Sequence, residues 1–218
     1  MLECLGLELS MAELFNNAES GDIESQYLIG VYHQYGVEFD LPYPDNFRAN
    51  IESLSVQGGV IAQYEFDSII FKLGQSSGIK INYSEAMKWY QLAAEQGLTK
   101  AQYMLANMFR FDYVESKKSL SQSFKWYHLA AEQGFSSAQY ELSHCYESGF
   151  ACEQNQLDAI KWCLLAAEQG HLKAQKHMGI LYHRGKGVAK NEVEAIKWFR
   201  LAAEQGDADA IEIINDYD

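Results

Sequence analysis

The chain has 218 residues, 48% apolar and 22% charged, which supplies a core and excludes a disordered chain. Its net charge of −13 opposes non-specific nucleic-acid binding, which depends on basic residues releasing counterions from phosphates. No apolar run approaches the ~18 residues of a membrane span, so membrane insertion is not expected.

The first stretch, MLECLGLELSMAELF, is apolar but has no basic segment before it, and Glu3, Glu8 and Glu13 interrupt it. A signal peptide is therefore not expected, and a reduced, cytoplasmic protein is. Further on, the phrase Ala93-Ala94-Glu95-Gln96-Gly97 returns at 130–134, 166–170 and 202–206, with its glycines 37, 36 and 36 residues apart. A fixed period of that size marks a stacked repeat. Weaker copies end at Gly21 and Gly58. After each glycine a gap of three residues precedes a small residue, usually followed by glutamine: Ser25-Gln26, Ala62-Gln63, Ala101-Gln102, Ala138-Gln139 and Ala174-Gln175, with Ala210-Ile211 as the exception.

Each full unit carries two helical patterns. In Ala195–Glu204 apolar residues recur at three- and four-residue spacing, and Gly206 stands where a helix ends with φ > 0. Ala174–Tyr182 has small residues at 174 and 179 that permit close approach, with Met178 and Tyr182 supplying bulk. Two helices joined about one glycine predict an antiparallel hairpin. The segment 184–191 has loop chemistry, Asn191 is a candidate N-cap, and Glu194 is its candidate capping-box partner.

Tyr182-x-x-Gly185-x-Gly187-Val188 followed by Ala195-x-x-Trp198-x-x-x-Ala202-Ala203-x-x-Gly206 resembles the Sel-1-like repeat, a relative of tetratricopeptide repeats. The resemblance implies an all-α, right-handed α/α solenoid of about five antiparallel helix hairpins. It also implies a scaffold or adaptor for other proteins, without shared catalytic residues. Residues 1–218 then form one repeat domain. Residues 1–82 are degenerate repeats with a connection at 36–46 that holds both prolines, 83–206 are well formed, and 207–218 are a polar C-terminal capping helix. Some relatives brace each hairpin with a disulfide, but the equivalent positions here are alanines (94 and 101, 131 and 138, 167 and 174), so that bracing is absent. Cys145 and Cys152 lie close enough to meet across a loop, and free thiols are the expectation in a reducing compartment.

The six histidines share no helix face in pairs and match no catalytic motif, so they are read as helix-surface residues, with no catalytic, cofactor or metal role. Trp89, Trp126, Trp162 and Trp198 follow the apolar stripe and are read as core. By analogy with tetratricopeptide arrays, the first helix of each unit lines a concave face. Candidate partner-binding residues there are Tyr27, Tyr35, Tyr64, Phe71, Lys100, Tyr103, Asn107, Arg110, Tyr140, His144, Lys173, Lys176, His183 and Arg184. Tyrosine and arginine suit a binding groove, although a recurring tyrosine also suits packing between neighbouring helices, and both readings stand. The basic residues among them point to an acidic segment of a partner. The expected function is a non-catalytic protein- or peptide-binding module. The alternative is an immunity or inhibitor protein that neutralises a bacterial toxin.

Overall fold

The computed structural model describes residues 11–35, 81–111 and 119–217. Every regular element among them is a helix: α1 (Met11–Glu19), α2 (Ile23–Tyr35), α3 (Tyr83–Glu95), α4 (Thr99–Arg110), α5 (Ser119–Glu132), α6 (Ser136–Ser148), α7 (Gln156–Glu168), α8 (Leu172–Arg184), α9 (Glu192–Glu204) and α10 (Ala208–Asn215). The predicted all-α hairpin architecture is the observed one, and its last described helix is Ala208–Asn215. The copy ending at Gly58, the Ala62-Gln63 pair, the connection at 36–46, and the candidate residues Tyr64 and Phe71 lie outside the described residues. The chain forms two compact units, Met1–Trp126 and Tyr127–Asp218.

The repeated phrase encodes a helix stop. In Ala93–Gly97 the glycine takes φ +94°, and its equivalents at 134, 170 and 206 take +88°, +86° and +89°. No side chain crowds these glycines, so the requirement for glycine is backbone conformation alone. The positive φ turns two N–H groups back onto the helix end. Gly97 donates to the Ala94 carbonyl at 3.0 Å and Leu98 to the Ala93 carbonyl at 3.1 Å. Gly170 and His171 do the same to Ala167 and Ala166, both at 3.0 Å. This is the Schellman pattern, which satisfies carbonyls that a helix end would leave unpaired.

The second alanine of the phrase has a further partner. The glutamine that follows the small residue reaches back across the turn, so that Gln102 Nε2 donates to the Ala94 carbonyl at 3.2 Å. Gln139 does so to Ala131 at 3.2 Å and Gln175 to Ala167 at 3.3 Å. These glutamines are buried, each about 4% exposed. Their Oε1 atoms then accept from the glutamine of the next phrase: Gln169 donates to Gln139 at 2.7 Å and Gln205 to Gln175 at 2.6 Å. One glutamine therefore ties the two arms of its own hairpin, and a second ties that hairpin to the next. A buried amide left without these partners costs about 1–3 kcal/mol, so both glutamines are needed together.

The second helix of each unit also starts by rule. Asn82, Asn155 and Asn191 cap α3, α7 and α9 through their side-chain oxygens. Their backbone N–H groups go to the carbonyls of His33, Tyr146 and Tyr182 at 2.8, 2.9 and 3.0 Å. Asn191 is thus the N-cap expected. Its N–H is spent on Tyr182, and the Glu194 carboxylate lies 3.5 Å from Lys197, so that contact stands where a reciprocal capping box was expected.

Packing corrects the reading of the tryptophans. Trp198 is buried at 7% exposure, whereas Trp89, Trp126 and Trp162 are half-buried. The deeper position is the next residue, Tyr90, Tyr127, Cys163 or Phe199, all between 0% and 3% exposed. The cause is close approach by the first helix of the pair. A Cβ on Gly179 would stand 2.7 Å from the Phe199 ring, and one on Gly30 would stand 2.5 Å from the Tyr90 ring. Where the ring is replaced by the small Cys163, the facing residue is Ser143. Volume is conserved across the pair, as close packing demands.

In the first unit α3 packs directly on α2, as α7 packs on α6 and α9 on α8. Gln96 donates to Gln26 at 2.8 Å, joining residues 70 apart, whereas the equivalent pairs in the second unit join residues 30 apart. The excess is about one repeat. Counting phrases along the chain, the first copy meets the third.

Two outcomes follow for stability. Gln175→Met removes both amide contacts at constant length and should lower unfolding free energy by about 1–3 kcal/mol in urea titration. Gln175→Met with Gln205→Met should cost less than the two single changes summed, and strict additivity would disprove the ladder. Gly179→Ser should cost about 1–3 kcal/mol by crowding Phe199. Combining it with Phe199→Cys, which recreates the Ser143–Cys163 pair, should recover part of that loss relative to the summed single changes.

Candidate functional site

The repeated residues face inward, so chemistry must come from what varies beside them. On α8 the constant face (Ala174, Gln175, Met178, Leu181) is buried, while Lys173, His183 and Arg184 are exposed and Lys176 is half-exposed. On α6, Tyr140 and His144 are half-exposed above buried Ala138, Gln139 and Leu142. Helix period 3.6 separates the two faces cleanly.

Between these helices lies a compact aromatic and charged cluster. Tyr140 stacks on His171 with centroids 4.6 Å apart and meets His144 edge-on, also at 4.6 Å. His144 and His177 lie nearly parallel, 5.4 Å apart. Glu147, one turn beyond His144, points Oε2 at both rings, 3.6 Å from His144 Nδ1 and 3.5 Å from His177 Nε2. Its Oε1 accepts from Lys186 Nζ at 2.7 Å. His177 Nδ1 is buried without a partner. Among the described residues, His144, Glu147 and His177 are the group able to hold a metal ion, with their ligand-type atoms all within 4.8 Å of one another.

The electrostatics follow from burial. Burial works to raise the Glu147 carboxyl, but the Lys186 hydrogen bond and the neighbouring histidines carry it below the ordinary value. Burial lowers the His177 imidazole against the opposing pull of Glu147. His171 is lowered to about 3, by burial first and by the Lys173 charge second. This histidine has a structural task, because its Nδ1 accepts from the Ala174 N–H at 3.2 Å and so caps α8. Asp207 fills the same post before α10, whereas Leu98 and Phe135 make no side-chain cap before α4 and α6.

The remaining sequence-predicted residues fall into different settings. Tyr27 is in the core of the first unit at 4% exposure, its ring 5.8 Å from that of Tyr90, so it takes the packing role. Tyr35, Lys100, Tyr103, Asn107 and Arg110 are half-buried, and Arg110 sits over the Phe111 ring at 5.4 Å. Lys176, expected to offer its charge to a partner, is held by Asp207 at 2.9 Å and Asp209 at 2.8 Å. His183 meets Glu192 at 2.9 Å, and Glu192 is lowered to about 2 by that bond and by Lys190. Cys145, Cys152 and Cys163 are free thiols.

The reading of the histidines as surface residues is corrected at two positions. His171 is buried at 4% exposure and His177 is mostly buried. Comparing histidines within one helix missed the cluster, because its members come from successive repeats. Moving His177 back by one period of 36 residues lands on position 141, one helical turn before His144. That offset was the available signal.

A family model for the Sel1 repeat matches residues 23–49, 70–98, 99–135, 136–171 and 172–207. Among solved structures, the chain is similar to a Sel1 repeat protein from Oxalobacter formigenes, with 25% identity, TM-score 0.68, and coverage of 94% of this chain and 68% of that one. It is also similar to a protective antigen of uropathogenic Escherichia coli strains with an SLR fold, with 29% identity, TM-score 0.62, and coverage of 96% of this chain and 44% of that one. The chain thus spans less than half of that antigen. No match is found among curated proteins.

His171 gives a pH signature. The unfolded chain takes a proton on this residue near pH 6.5, and the fold does so only near 3. Its contribution is therefore complete above pH 6.5 and is lost as pH falls toward 3, by up to about 1.4 kcal/mol per pH unit. His171→Phe, which keeps the stack on Tyr140 but cannot titrate, should flatten the urea-midpoint profile between pH 7 and 4.5. Parallel profiles for the two proteins would exclude His171 as the group.

Proposed function

The chain belongs to the Sel1 repeat family, and from that premise we propose that it is a non-catalytic module that binds an acidic segment of a partner protein. Sel1 repeat proteins serve in general as interaction scaffolds, and no helix among the described residues is long and apolar enough to cross a membrane. The observation that carries the reading is the division of labour on α8. Its repeat-specific residues are buried in the hairpin, while Lys173, His183 and Arg184 stand exposed on the other side. The residue types at these positions change along the array (Lys100, Ser137 and Lys173; Arg110, Glu147 and His183), so packing does not demand one of them.

A protein of net charge −13 that gathers cations on one helix face has a local field opposite to its overall one. Such a patch selects a partner by charge complementarity, which acts on association rate and specificity. Tyr140 and His144 on α6 add aromatic surface beside it, of the kind enriched where binding energy concentrates. Lys176 adds little free charge, because Asp207 and Asp209 already neutralise it.

The test uses the immobilised chain and an extract of the native host, with captured proteins identified by mass spectrometry. Lys173→Glu with Arg184→Glu should abolish capture of a true groove ligand at low salt and leave the helical circular-dichroism spectrum unchanged. Tyr140→Ala should weaken capture by about tenfold or more. A partner retained by the charge-reversed protein would remove the acidic-segment reading. A basic enzyme that is recovered and inhibited would move the function to the inhibitor class.

A further inference from the structure

Protein binding leaves one feature without a role: the carboxylate of Glu147 aimed at two imidazoles from successive repeats. The contacts from Oε2, 3.6 Å to His144 Nδ1 and 3.5 Å to His177 Nε2, are longer than a good N–H···O bond of 2.7–3.2 Å. Neither histidine therefore satisfies this oxygen, and both approach it. Two imidazoles and one carboxylate converging on a common point make a donor set suited to zinc and its first-row neighbours.

We propose that His144 Nδ1, Glu147 Oε2 and His177 Nε2 form a binding site for a divalent transition-metal ion of the zinc class, with water completing the shell. Zinc bonds of 2.0–2.1 Å in a tetrahedral arrangement place neighbouring ligand atoms about 3.3 Å apart. Two edges of the triangle, at 3.5 and 3.6 Å, already lie within a few tenths of that value. The third pair lies within the 4.8 Å span of the cluster, and rotation of the half-exposed His144 ring closes it.

The scaffold around the ligands suits the task. His144 and Glu147 stand one turn apart on α6, so a single helix face presents both. His177 comes from α8, and the Gln139–Gln169 and Gln175–Ala167 bonds fix the hairpins on which these helices lie. Lys186 donates to Glu147 Oε1 at 2.7 Å, which orients the carboxylate and leaves Oε2 as the ligand atom. This is the supporting role that groups beyond the ligands play at metal sites. On His177, Nδ1 is buried without a hydrogen-bond partner and Nε2 faces Glu147, so Nε2 is the nitrogen the ring presents. A metal here would pin one repeat to the next at the same place where Tyr140 and Lys173 face a partner.

The experiment uses the full chain without a histidine tag, stripped with EDTA and dialysed, and titrated calorimetrically with Zn2+ alone at pH 7.5. One equivalent should bind with a dissociation constant in the micromolar range or below, and the melting temperature should rise with Zn2+ concentration. Co2+ substitution should give visible d–d absorption. Glu147→Gln and His144→Asn should each weaken binding by at least tenfold and abolish the thermal shift. Their melting temperatures in EDTA, close to that of the parent, confirm that both variants fold. His183→Ala should bind like the parent. The proposal is overturned if no stoichiometric binding occurs, or if binding survives Glu147→Gln and disappears with His183→Ala, which would place the ion at the His183–Glu192 pair.

Discussion

The buried glutamine after the small residue is the contact on which the rest of the structure depends. A carboxamide offers both a donor and an acceptor on a short, neutral side chain, so it can bond a backbone carbonyl and a neighbouring side chain at once. Gln175 uses the donor on the Ala167 carbonyl and the acceptor on Gln205. A hydrophobic residue here would fill the space and leave the Ala167 carbonyl with its glycine partner alone. A charged residue would carry a desolvation penalty that nothing nearby offsets. Repetition turns this local solution into an architecture, because the same amide pair joins each hairpin of the second unit to its neighbour.

That regularity gives the first unit its meaning. The bonds from Asn82 to His33 and from Gln96 to Gln26 are the ones found at the two junctions within the second unit, made across a much longer stretch of chain. Stacking is governed by surface complementarity between hairpins, and chain connectivity only limits which surfaces can meet.

Packing and the proposed partner binding fall on different faces of the same helices. On α8 the buried face carries the ladder, the close approach at Gly179 and the His171 cap. The opposite face carries Lys173, His183 and Arg184, which no packing rule requires. The His144–Glu147–His177 cluster sits where the two faces meet, half-buried and held by both helices. Such an edge position lets a group be oriented by the core and still be reached from solvent.

Much of the fold was legible in one dimension. The recurring glycine, the alanine pair and the following glutamine stand at fixed spacing because they serve one turn: the glycine supplies the positive φ, the alanines pack closely and the glutamine side chain reaches back to a carbonyl. Periodicity alone therefore determined the hairpins, their turns and the N-cap at Asn191. What the pattern could not convey was depth. Tyr90, Cys163 and Phe199 lie deeper than the tryptophans beside them, because which of two adjacent apolar residues is buried depends on the rotation of one helix against another, at Gly30, Ser143 and Gly179. Charge pairing was equally hidden, since Lys176 meets Asp207 and Asp209 only when α10 folds onto α8. The composition of the histidine cluster was a tertiary decision for the same reason: its members come from successive repeats, and only packing brings residues 33 positions apart onto one carboxylate.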